Sequence, residues 1–262
     1  MTQTSARPTA IVTGASSGIG AEFACLLAEA GYDLVLVARS KERLEHLAAD
    51  LADSYAVEVE VIAADLSLDE DVATVARRIR NGDRVEIVVN DAGIGWYGPF
   101  AEQEPAKVQT MVALNVGALT MLSHAALDVM VPSGCGGLLN VSSTASFVPG
   151  PRSAVYHATK AYVTSFSEAL HEEVRPRGVH VTVLCPGVTP TGFQEAAGFS
   201  DRRLPRAVVG DAHDVAAAGL EALRRNEPLC VPGRFNKVAV VAARLGPRPA
   251  VRWGSRLVLE HL

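Results

Sequence analysis

The stretch Thr13-Gly14-Ala15-Ser16-Ser17-Gly18-Ile19-Gly20 decides the fold, because it joins a short apolar run, residues 10–12, to a segment with helical periodicity, residues 21–30. Its glycines are spaced GxxxGxG, which differs from both the GxGxxG and the P-loop patterns. Glycine lets the backbone approach a pyrophosphate closely, and the N–H groups that begin the next helix attract its charge. The stretch therefore predicts a phosphate-binding turn between the first strand and the first helix.

Short apolar runs rich in β-branched residues and bounded by turn residues predict the strands. They are residues 10–12, 34–37, 57–63, 87–89, 138–141, 179–184 and 229–231. Segments with helical spacing lie between them, among them residues 21–30, 42–52 and 71–79. Strands this apolar are buried on both faces. The sequence therefore predicts an α/β fold of the doubly wound Rossmann type, with a parallel sheet of about seven strands and helices on both faces.

Length and composition fit one globular domain that spans residues 1–262. Hydrophobic residues make up 48% of the chain and charged residues 20%, which is enough apolar surface for a full core and too much for a disordered chain. The formal net charge of -5 argues against a general nucleic-acid binder, which needs a basic face to displace counterions from phosphates. A small-molecule partner fits this composition better.

Cysteine usage and the apolar profile bear on metal binding and location. The four cysteines are widely spaced and form no CxxC pair, and no other cluster has metal-ligand spacing, so we predict no metal site and no disulfide framework. Residues 1–8 lack the apolar core of a signal peptide, and no stretch approaches the ~20 apolar residues that a membrane span needs. We therefore expect a cytoplasmic protein.

Two segments stand apart from the alternation of strands and helices. Residues 192–211 combine glycine, proline and charged residues, which predicts an irregular substrate lid over the strand ends. Residues 237–262 form a basic amphipathic tail. Such a tail can touch a membrane surface, but packing on the body of the protein is the more common outcome and the one we favour.

The carboxyl ends of the second, third and fourth strands carry candidate cofactor contacts, because ligands of such sheets bind at that edge. Arg39 stands where an acidic residue would hold the ribose hydroxyls of NAD, and an arginine suits the additional phosphate of NADP. The alternative for Arg39 is a solvated residue at a helix start. Asp65 and Leu66 follow the third strand, and Asn90-Asp91-Ala92-Gly93 follows the fourth. Asp65 by itself also fits a turn or capping residue.

Tyr156 and Lys160 are four residues apart in a segment, residues 154–174, that is predicted to be helical, so both side chains lie on one face. A free tyrosine titrates near pH ~10, and proton exchange at neutral pH requires a lower pKa. A neighbouring ammonium and a positively charged nicotinamide ring could supply that. Ser143 ends the fifth strand thirteen residues before Tyr156, where its hydroxyl could hold a substrate carbonyl oxygen.

With these motifs in this order, the chain resembles the short-chain dehydrogenase/reductase family over about residues 10–191. The resemblance rests on TGASSGIG, NDAG, the spacing of Ser143, Tyr156 and Lys160, and Pro186-Gly187 with Thr191. It implies that Tyr156 is the acid/base, that Ser143 orients the substrate, and that Lys160 binds the nicotinamide ribose and lowers the tyrosine pKa. Asn115 matches the family asparagine that supports a proton-relay water.

The resemblance also implies a loop after the sixth strand in which the backbone of Val188 and the side chain of Thr191 hold the carboxamide. One departure is Asp91, where the family usually has a second asparagine; that acid weakens or re-routes contacts near the cofactor. The residues predicted to contact the cofactor are Gly14, Ser16, Ser17, Gly18, Ile19, Gly20, Arg39, Asp65, Leu66, Asn90, Ala92, Gly93, Tyr156, Lys160, Pro186, Gly187, Val188 and Thr191.

The first hypothesis is therefore an NADP(H)-dependent carbonyl reductase or alcohol dehydrogenase for a hydrophobic small molecule, with NAD(H) the less favoured cofactor. A rival is a sensor module that binds the dinucleotide without turnover, and a third reading is a dinucleotide-dependent isomerase or dehydratase. The apolar faces of residues 108–130 and 154–174 resemble those that pair between subunits in the family, which predicts a homodimer or homotetramer.

Overall fold

The computed structural model describes residues 7–190, 192–193, 197–198 and 210–260. Its strands are β1 (Thr9–Thr13), β2 (Asp33–Ala38), β3 (Val59–Ala63), β4 (Val85–Asn90), β5 (Gly137–Val141), β6 (His180–Leu184) and β7 (Leu229–Cys230). They form one sheet of seven strands in the order β3-β2-β1-β4-β5-β6-β7, and every neighbouring pair is parallel. The predicted doubly wound parallel sheet is confirmed.

The helices connect and flank these strands. They are α1 (Gly18–Glu29), α2 (Lys41–Tyr55), α3 (Asp69–Asn81), α4 (Pro105–Val112), α5 (Leu119–Ser133), α6 (Ala154–Val174), α7 (Ala212–Arg224), α8 (Arg234–Leu245) and α9 (Arg248–Glu260). Two buried apolar clusters lie on opposite faces of the sheet. One contains Phe23 and Leu27 of α1, and the other contains Ile79 of α3 with Leu122 and Met130 of α5. Helices therefore cover both faces, as the apolar strands require.

The third predicted strand starts two residues later than its apolar run. Ala56 ends α2 in the left-handed conformation, with a φ of 54°. Asp33 accepts the N–H of Glu58 at 2.9 Å, and pairing with β2 begins only at Val59. Val57 is buried in the core although it precedes the ladder. Val57 is apolar because it is buried in the loop between α2 and β3, not because it pairs with a neighbouring strand. Hydropathy alone cannot distinguish a buried loop residue from a strand residue.

The helix predicted over residues 108–130 is not uniform. Between α4 and α5 the chain adopts a π-helical turn, Ala113–Ala118, which places the buried Asn115 at its centre. A π-turn shifts the hydrogen-bond ladder by one residue, and such turns occur frequently at functional sites. Counted as one run, Pro105–Ser133 is also long and apolar enough to cross a membrane, contrary to the expectation from the sequence. A buried core helix passes the same test, so this is weak evidence for a span.

The C-terminal tail packs on the body of the protein, as favoured from its sequence. In α8, Val240 is buried in a cluster with Val163 and Val183. The guanidinium of Arg244 lies 3.3 Å from the Glu168 carboxylate. Helix α9 buries Ser255 and Leu259. These contacts attach both tail helices to the folded body through one face of each.

Candidate active site

The glycine turn between β1 and α1 has the shape that its sequence predicts. Gly14 has a φ of +73°, and a Cβ there would lie 2.9 Å from the Ala92 nitrogen. A Cβ on Gly20 would lie 2.3 Å from the Gly14 oxygen, so the turn closes only with glycine at both positions. Helix α1 begins at Gly18, and the side chain of Ser17 makes no capping hydrogen bond. Ser17 therefore does not occupy the first N–H groups of the helix, which are the groups that an anion site uses.

Thr13 joins this turn to the segment that follows β4. Its hydroxyl accepts the backbone N–H of Asp91 at 3.1 Å and of Ala92 at 3.2 Å, and it donates to the Val89 carbonyl at 3.3 Å. The predicted cofactor contacts on the two segments are therefore held at a constant separation. Sequence reasoning gave Thr13 no such role, because its partners lie more than seventy residues away.

Asp91 replaces the family asparagine, and its carboxylate lies against the start of α1. The hydrogen bond from the Gly20 N–H and the positive charge of Lys160 both lower the pKa of Asp91. Desolvation is the larger effect and raises this pKa to about 7. The same burial lowers the pKa of Lys160 to about 8 despite the attraction of Asp91. One backbone N–H at the start of α1 is thus already hydrogen-bonded to a carboxylate. A disturbance of cofactor contacts by Asp91 stays a prediction.

At the ends of β2 and β3, Arg39 is exposed and lies close enough to Asp65 for their charges to interact. Desolvation would raise the pKa of Asp65, but hydrogen bonds from the Ser67 hydroxyl and N–H, at 2.7 and 3.0 Å, with the charge of Arg39, lower it. Asp65 therefore forms the local turn that was its alternative assignment. Leu66 is buried beside it. The guanidinium of Arg39 is exposed to solvent at this edge of the sheet.

The side chain of Asn90 does not point into the crevice. Its amide nitrogen donates to Asn140 at 2.9 Å and to Ser123 at 3.2 Å, and Asn140 in turn donates to Ser167 at 2.9 Å. These residues form a buried polar network between adjacent strands and the helices below them. The side chain of Asn90 is thus used within the protein, and a cofactor contact from Asn90, which would fall to its backbone, stays a prediction.

Asn115 is used as a clamp on the segment after the NDAG motif. Its amide oxygen accepts the N–H of Ile94 and its amide nitrogen donates to the Ile94 carbonyl, both at 2.9 Å. The amide nitrogen also donates to Thr159 of α6 at 3.1 Å. This satisfies a polar side chain that looked out of place in an apolar helix. A role in water relay stays a prediction, and it would fall to the backbone of the π-turn rather than to the occupied side chain.

Ser143, Tyr156 and Lys160 come together at the carboxyl edge of the sheet. Ser143 caps a short 3₁₀ turn after β5, where its hydroxyl accepts the Ala145 N–H at 3.1 Å and lies close enough to Tyr156 to lower the pKa of that tyrosine. The ammonium of Lys160 lies 5.9 Å from the centre of the Tyr156 ring and donates to the Val141 carbonyl at 2.8 Å. The predicted spacing on α6 therefore produces the predicted cluster.

The electrostatics of Tyr156 differ from expectation. Burial of its hydroxyl raises the pKa of Tyr156 to about 12, and the hydrogen bond from Ser143 offsets only part of this; the carboxylate of Asp91 raises it further. Lys160 is not among the groups that lower it. Lys160 thus does not supply a low pKa for Tyr156, because it is itself desolvated and its ammonium donates to the Val141 carbonyl.

The loop after β6 keeps the predicted Pro186, Gly187 and Val188 at the same edge. The Pro186 carbonyl accepts the Thr144 N–H at 2.9 Å, which ties this loop to the segment that carries Ser143. A Cβ on Gly187 would lie 2.4 Å from the side-chain nitrogen of Asn236, so α8 packs directly on the loop. Thr191 and most of the predicted lid, residues 192–211, lie outside the described residues.

An apolar wall faces Tyr156. The ring of Phe193 lies 5.5 Å from the Tyr156 ring, and a Cβ on Gly95 would lie 2.7 Å from Phe193. The Tyr97 N–H donates to the Ala197 carbonyl at 2.9 Å, while the Tyr97 hydroxyl donates to the Leu259 carbonyl of α9. Phe193 therefore contacts both Tyr156 and the segment after NDAG, and Tyr97 joins that segment to the last helix. The sequence predicted a lid in this region but not these contacts, because they join distant parts of the chain.

A parallel doubly wound sheet, a glycine turn at an uncapped helix start and a Ser-Tyr-Lys cluster at the strand ends together define a dinucleotide-dependent oxidoreductase. The sequence profile described as short chain dehydrogenase matches residues 8–200 of this chain. The chain belongs to the short-chain dehydrogenase/reductase family. The sequence-based identification is thereby confirmed.

Relatives and solved structures agree with this placement. The chain is 37% identical, with a TM-score of 0.84, to a short-chain dehydrogenase from Sphingobium yanoikuyae in complex with NADPH, and the match covers 94% of this chain and 96% of that one. It is 33% identical, with a TM-score of 0.79, to a bulky-bulky ketone specific alcohol dehydrogenase from Comamonas testosteroni, covering 94% and 95% of the two chains.

A human relative, inactive hydroxysteroid dehydrogenase-like protein 1, is 32% identical over 80% of this chain. That match spans 66% of the human protein, slightly less than two thirds of its length. The very-long-chain 3-oxoacyl-CoA reductase of Anas platyrhynchos is also 32% identical, over 86% of this chain and 72% of that protein. The curated relatives thus include one named as a reductase and two named as inactive.

Proposed function

We propose that this chain is an NADP(H)-dependent oxidoreductase that interconverts a carbonyl and a secondary alcohol on a hydrophobic small molecule. The observation that carries the proposal is the cluster at the sheet edge, in which the Ser143 hydroxyl lies close enough to Tyr156 to lower its pKa and the Lys160 ammonium lies 5.9 Å from the tyrosine ring. Two hydroxyls placed side by side can both bond to one carbonyl oxygen. A sensor that only binds a dinucleotide has no need of this arrangement.

The residues around the glycine turn fit a dinucleotide. Gly14 and Gly20 let the turn close tightly against the segment after β4, and Ser17 makes no capping hydrogen bond to the first N–H groups of α1. Lys160 would bond to the ribose, and the backbone of Val188 to the carboxamide. A bound nicotinamide ring would supply hydride in reduction, accept it in oxidation and, when oxidised, add a positive charge beside the ring of Tyr156. That charge would lower the pKa of Tyr156 from about 12.

In the direction of reduction, Tyr156 donates its hydroxyl proton to the substrate carbonyl oxygen as the carbonyl carbon becomes tetrahedral. Ser143 donates a hydrogen bond to the same oxygen and stabilises the charge that develops there. In the direction of oxidation, Tyr156 accepts the alcohol proton. The apolar ring of Phe193 excludes water from one side of this exchange.

The decisive test replaces the Tyr156 hydroxyl. Tyr156→Phe should lower turnover of NADPH with a panel of bulky ketones by about 100-fold or more, the range of general acid catalysis, while NADPH binding stays within about twofold. Tyr162→Phe is the matched control, since Tyr162 lies on the same helix and its hydroxyl bonds to Thr120 at 2.9 Å. Absorbance of NADPH measures turnover, and quenching of protein fluorescence measures binding.

Equal rates in wild type and Tyr156→Phe would remove the proposed chemistry. Tight NADPH binding without turnover on any carbonyl or alcohol would support the sensor instead, in line with the human relative that is named as inactive. Turnover without net oxidation or reduction would support an isomerase or dehydratase.

The cofactor preference rests on Arg39, whose exposed guanidinium stands at the end of β2, and the Sphingobium neighbour holds NADPH. Arg39→Asp should lower the preference for NADPH over NADH by about tenfold or more, because a charge-assisted hydrogen bond to phosphate contributes about 1.5 to 3 kcal/mol. Arg43→Asp, an exposed arginine one turn further along α2, is the control. The ratio of kcat/KM for the two cofactors is the measurement, and an unchanged ratio in Arg39→Asp would remove the role of Arg39.

A further inference from the structure

The two tail helices carry a positive charge that contrasts with the rest of the chain. The two helices contain six basic residues and one acidic residue, Glu260 at the end of α9, whereas the chain as a whole has a formal net charge of -5. The six basic residues of these helices are Arg234, Lys237, Arg244, Arg248, Arg252 and Arg256. Arg244 pairs with Glu168 on the body. Arg234, Lys237, Arg248 and Arg252 are exposed and form no ion pair with a residue that the structure describes.

The outer face of α8 is apolar. Val238, Val241 and Leu245, three and four residues apart, are 69%, 54% and 82% exposed. They lie on the side of the helix opposite the buried Val240. Phe235 is also exposed, at 59%. Helix α8 thus presents large apolar side chains to solvent while its inner face is already packed, and basic residues flank the apolar stripe.

Helix α9 repeats this arrangement. Trp253, 66% exposed, and Leu257 are four residues apart on the outer side, and Ser255 and Leu259 are buried on the inner side. Arg252 and Arg256 are exposed and lie one turn apart along one edge of this stripe, whereas Arg248 lies nearer the inner side. We call the exposed residues of α8 and α9 the C-terminal basic surface. Exposed apolar side chains flanked by cations are the pattern of helices that lie on a membrane.

We propose that the C-terminal basic surface docks on an anionic lipid bilayer, with its apolar side chains entering the headgroup boundary and its cations contacting lipid phosphates. Charge complementarity selects this occupant: lipid phosphates match the exposed cations, whereas the same surface of a second copy offers them no carboxylate within residues 234–259. Docking needs no unfolding, because the inner faces of both helices stay packed through Val240 and Leu259. The proposal does not depend on the proposed reaction.

Sedimentation of the full chain with vesicles tests the proposal. The protein should sediment with mixed phosphatidylcholine and phosphatidylglycerol vesicles at low salt, remain in solution with phosphatidylcholine alone, and dissociate as salt is raised. Arg234→Glu/Arg252→Glu, which reverses one exposed arginine on each helix, should weaken partitioning about tenfold or more. Arg77→Glu/Arg177→Glu is the matched control, since it reverses two exposed arginines outside the surface and should bind as wild type.

Tryptophan fluorescence locates the contact. Emission of the wild type should shift to shorter wavelength on anionic vesicles, and Trp253→Phe should abolish the shift while the variant still sediments. Failure of the wild type to sediment at low salt would overturn the proposal, as would equal losses in the two double variants. A dimer in solution that Leu245→Ser dissociates, with no binding to vesicles, would assign the surface to a second copy instead.

Discussion

Asp91 shows how one oxygen in place of a nitrogen alters an active site. An asparagine in this position would be neutral at every pH, whereas the carboxylate of Asp91 accepts the Gly20 N–H and opposes the desolvated Lys160. It occupies one of the helix N–H groups that would otherwise bond to a pyrophosphate. Because burial raises its pKa to about 7, its charge changes within the range of cellular pH. Dinucleotide affinity should therefore fall as Asp91 ionises.

Asp91→Asn tests this at both stability and binding. A raised folded pKa contributes stability at low pH that is lost as pH rises from the unfolded value of 3.8 through about 7. The free energy of unfolding of the variant should thus rise relative to that of wild type between pH 5 and pH 8. The NADPH affinity of wild type should fall above pH 7, and that of the variant should not. Urea unfolding and cofactor titration at the two pH values measure these effects.

Asp53→Asn, which changes an exposed aspartate on α2, is the control for Asp91→Asn and should show no such pH dependence. If wild type and Asp91→Asn differ by the same amount at pH 5 and pH 8, the ionisation of Asp91 does not govern this turn.

At the scale of elements, the turn between β1 and α1 and the segment after β4 form one unit. Thr13 bonds to both Asp91 and Ala92, while Gly14 and Gly20 leave room for that contact. The π-turn around Asn115 extends the same unit by clamping Ile94 and reaching Thr159 on α6. The glycine turn is therefore linked to α6 through the segment after β4 and the hydrogen bonds of Thr13 and Asn115.

Gly20→Ala should disrupt this unit. Its new methyl group would lie 2.3 Å from the Gly14 oxygen and 2.8 Å from the Asp91 carboxylate, so backbone must move at a cost of about 1 to 3 kcal/mol. We expect a lower free energy of unfolding in urea and weaker NADPH binding. Gly254→Ala, whose Cβ would meet nothing within 4 Å, is the control. Wild-type stability in Gly20→Ala would show that the turn tolerates a Cβ.

At the scale of the whole molecule, a second apolar surface lies away from the tail. A groove of about 480 Å³ runs between α4, the π-turn and α6, and its lining includes Phe100, Val112 and Val155. Phe100 and Val112 are 60% and 45% exposed. We propose that the predicted homo-oligomer forms through this face, which carries the apolar residues singled out on the two helices.

Val112→Arg tests the oligomer. Placing a cation in the groove should convert a dimer or tetramer into monomers, because an unpaired charge would be buried at the interface. Sedimentation velocity measures the mass. Leu68→Arg, which changes an apolar residue 56% exposed before α3, should leave the mass unaltered. A monomeric wild type at micromolar concentration would contradict the proposal.

The sequence by itself determined the sheet, the glycine turn and the pairing of Tyr156 with Lys160. These features are local: apolar runs bounded by turn residues predict strands, and a spacing of four on a helix places two side chains on one face. Even the bounds of α6, residues 154–174, follow from its periodicity.

Only the tertiary structure decided what the site residues do with their atoms. Asn90 turns into a buried network, Asn115 clamps Ile94 within a π-turn, Asp91 takes a helix N–H, and burial sets the pKa of Tyr156. The contacts of Phe193 with Tyr156 and of Leu259 with Tyr97 likewise join distant segments. Hydrogen-bond choice and desolvation depend on neighbours brought together by packing, and no local pattern of residues records them.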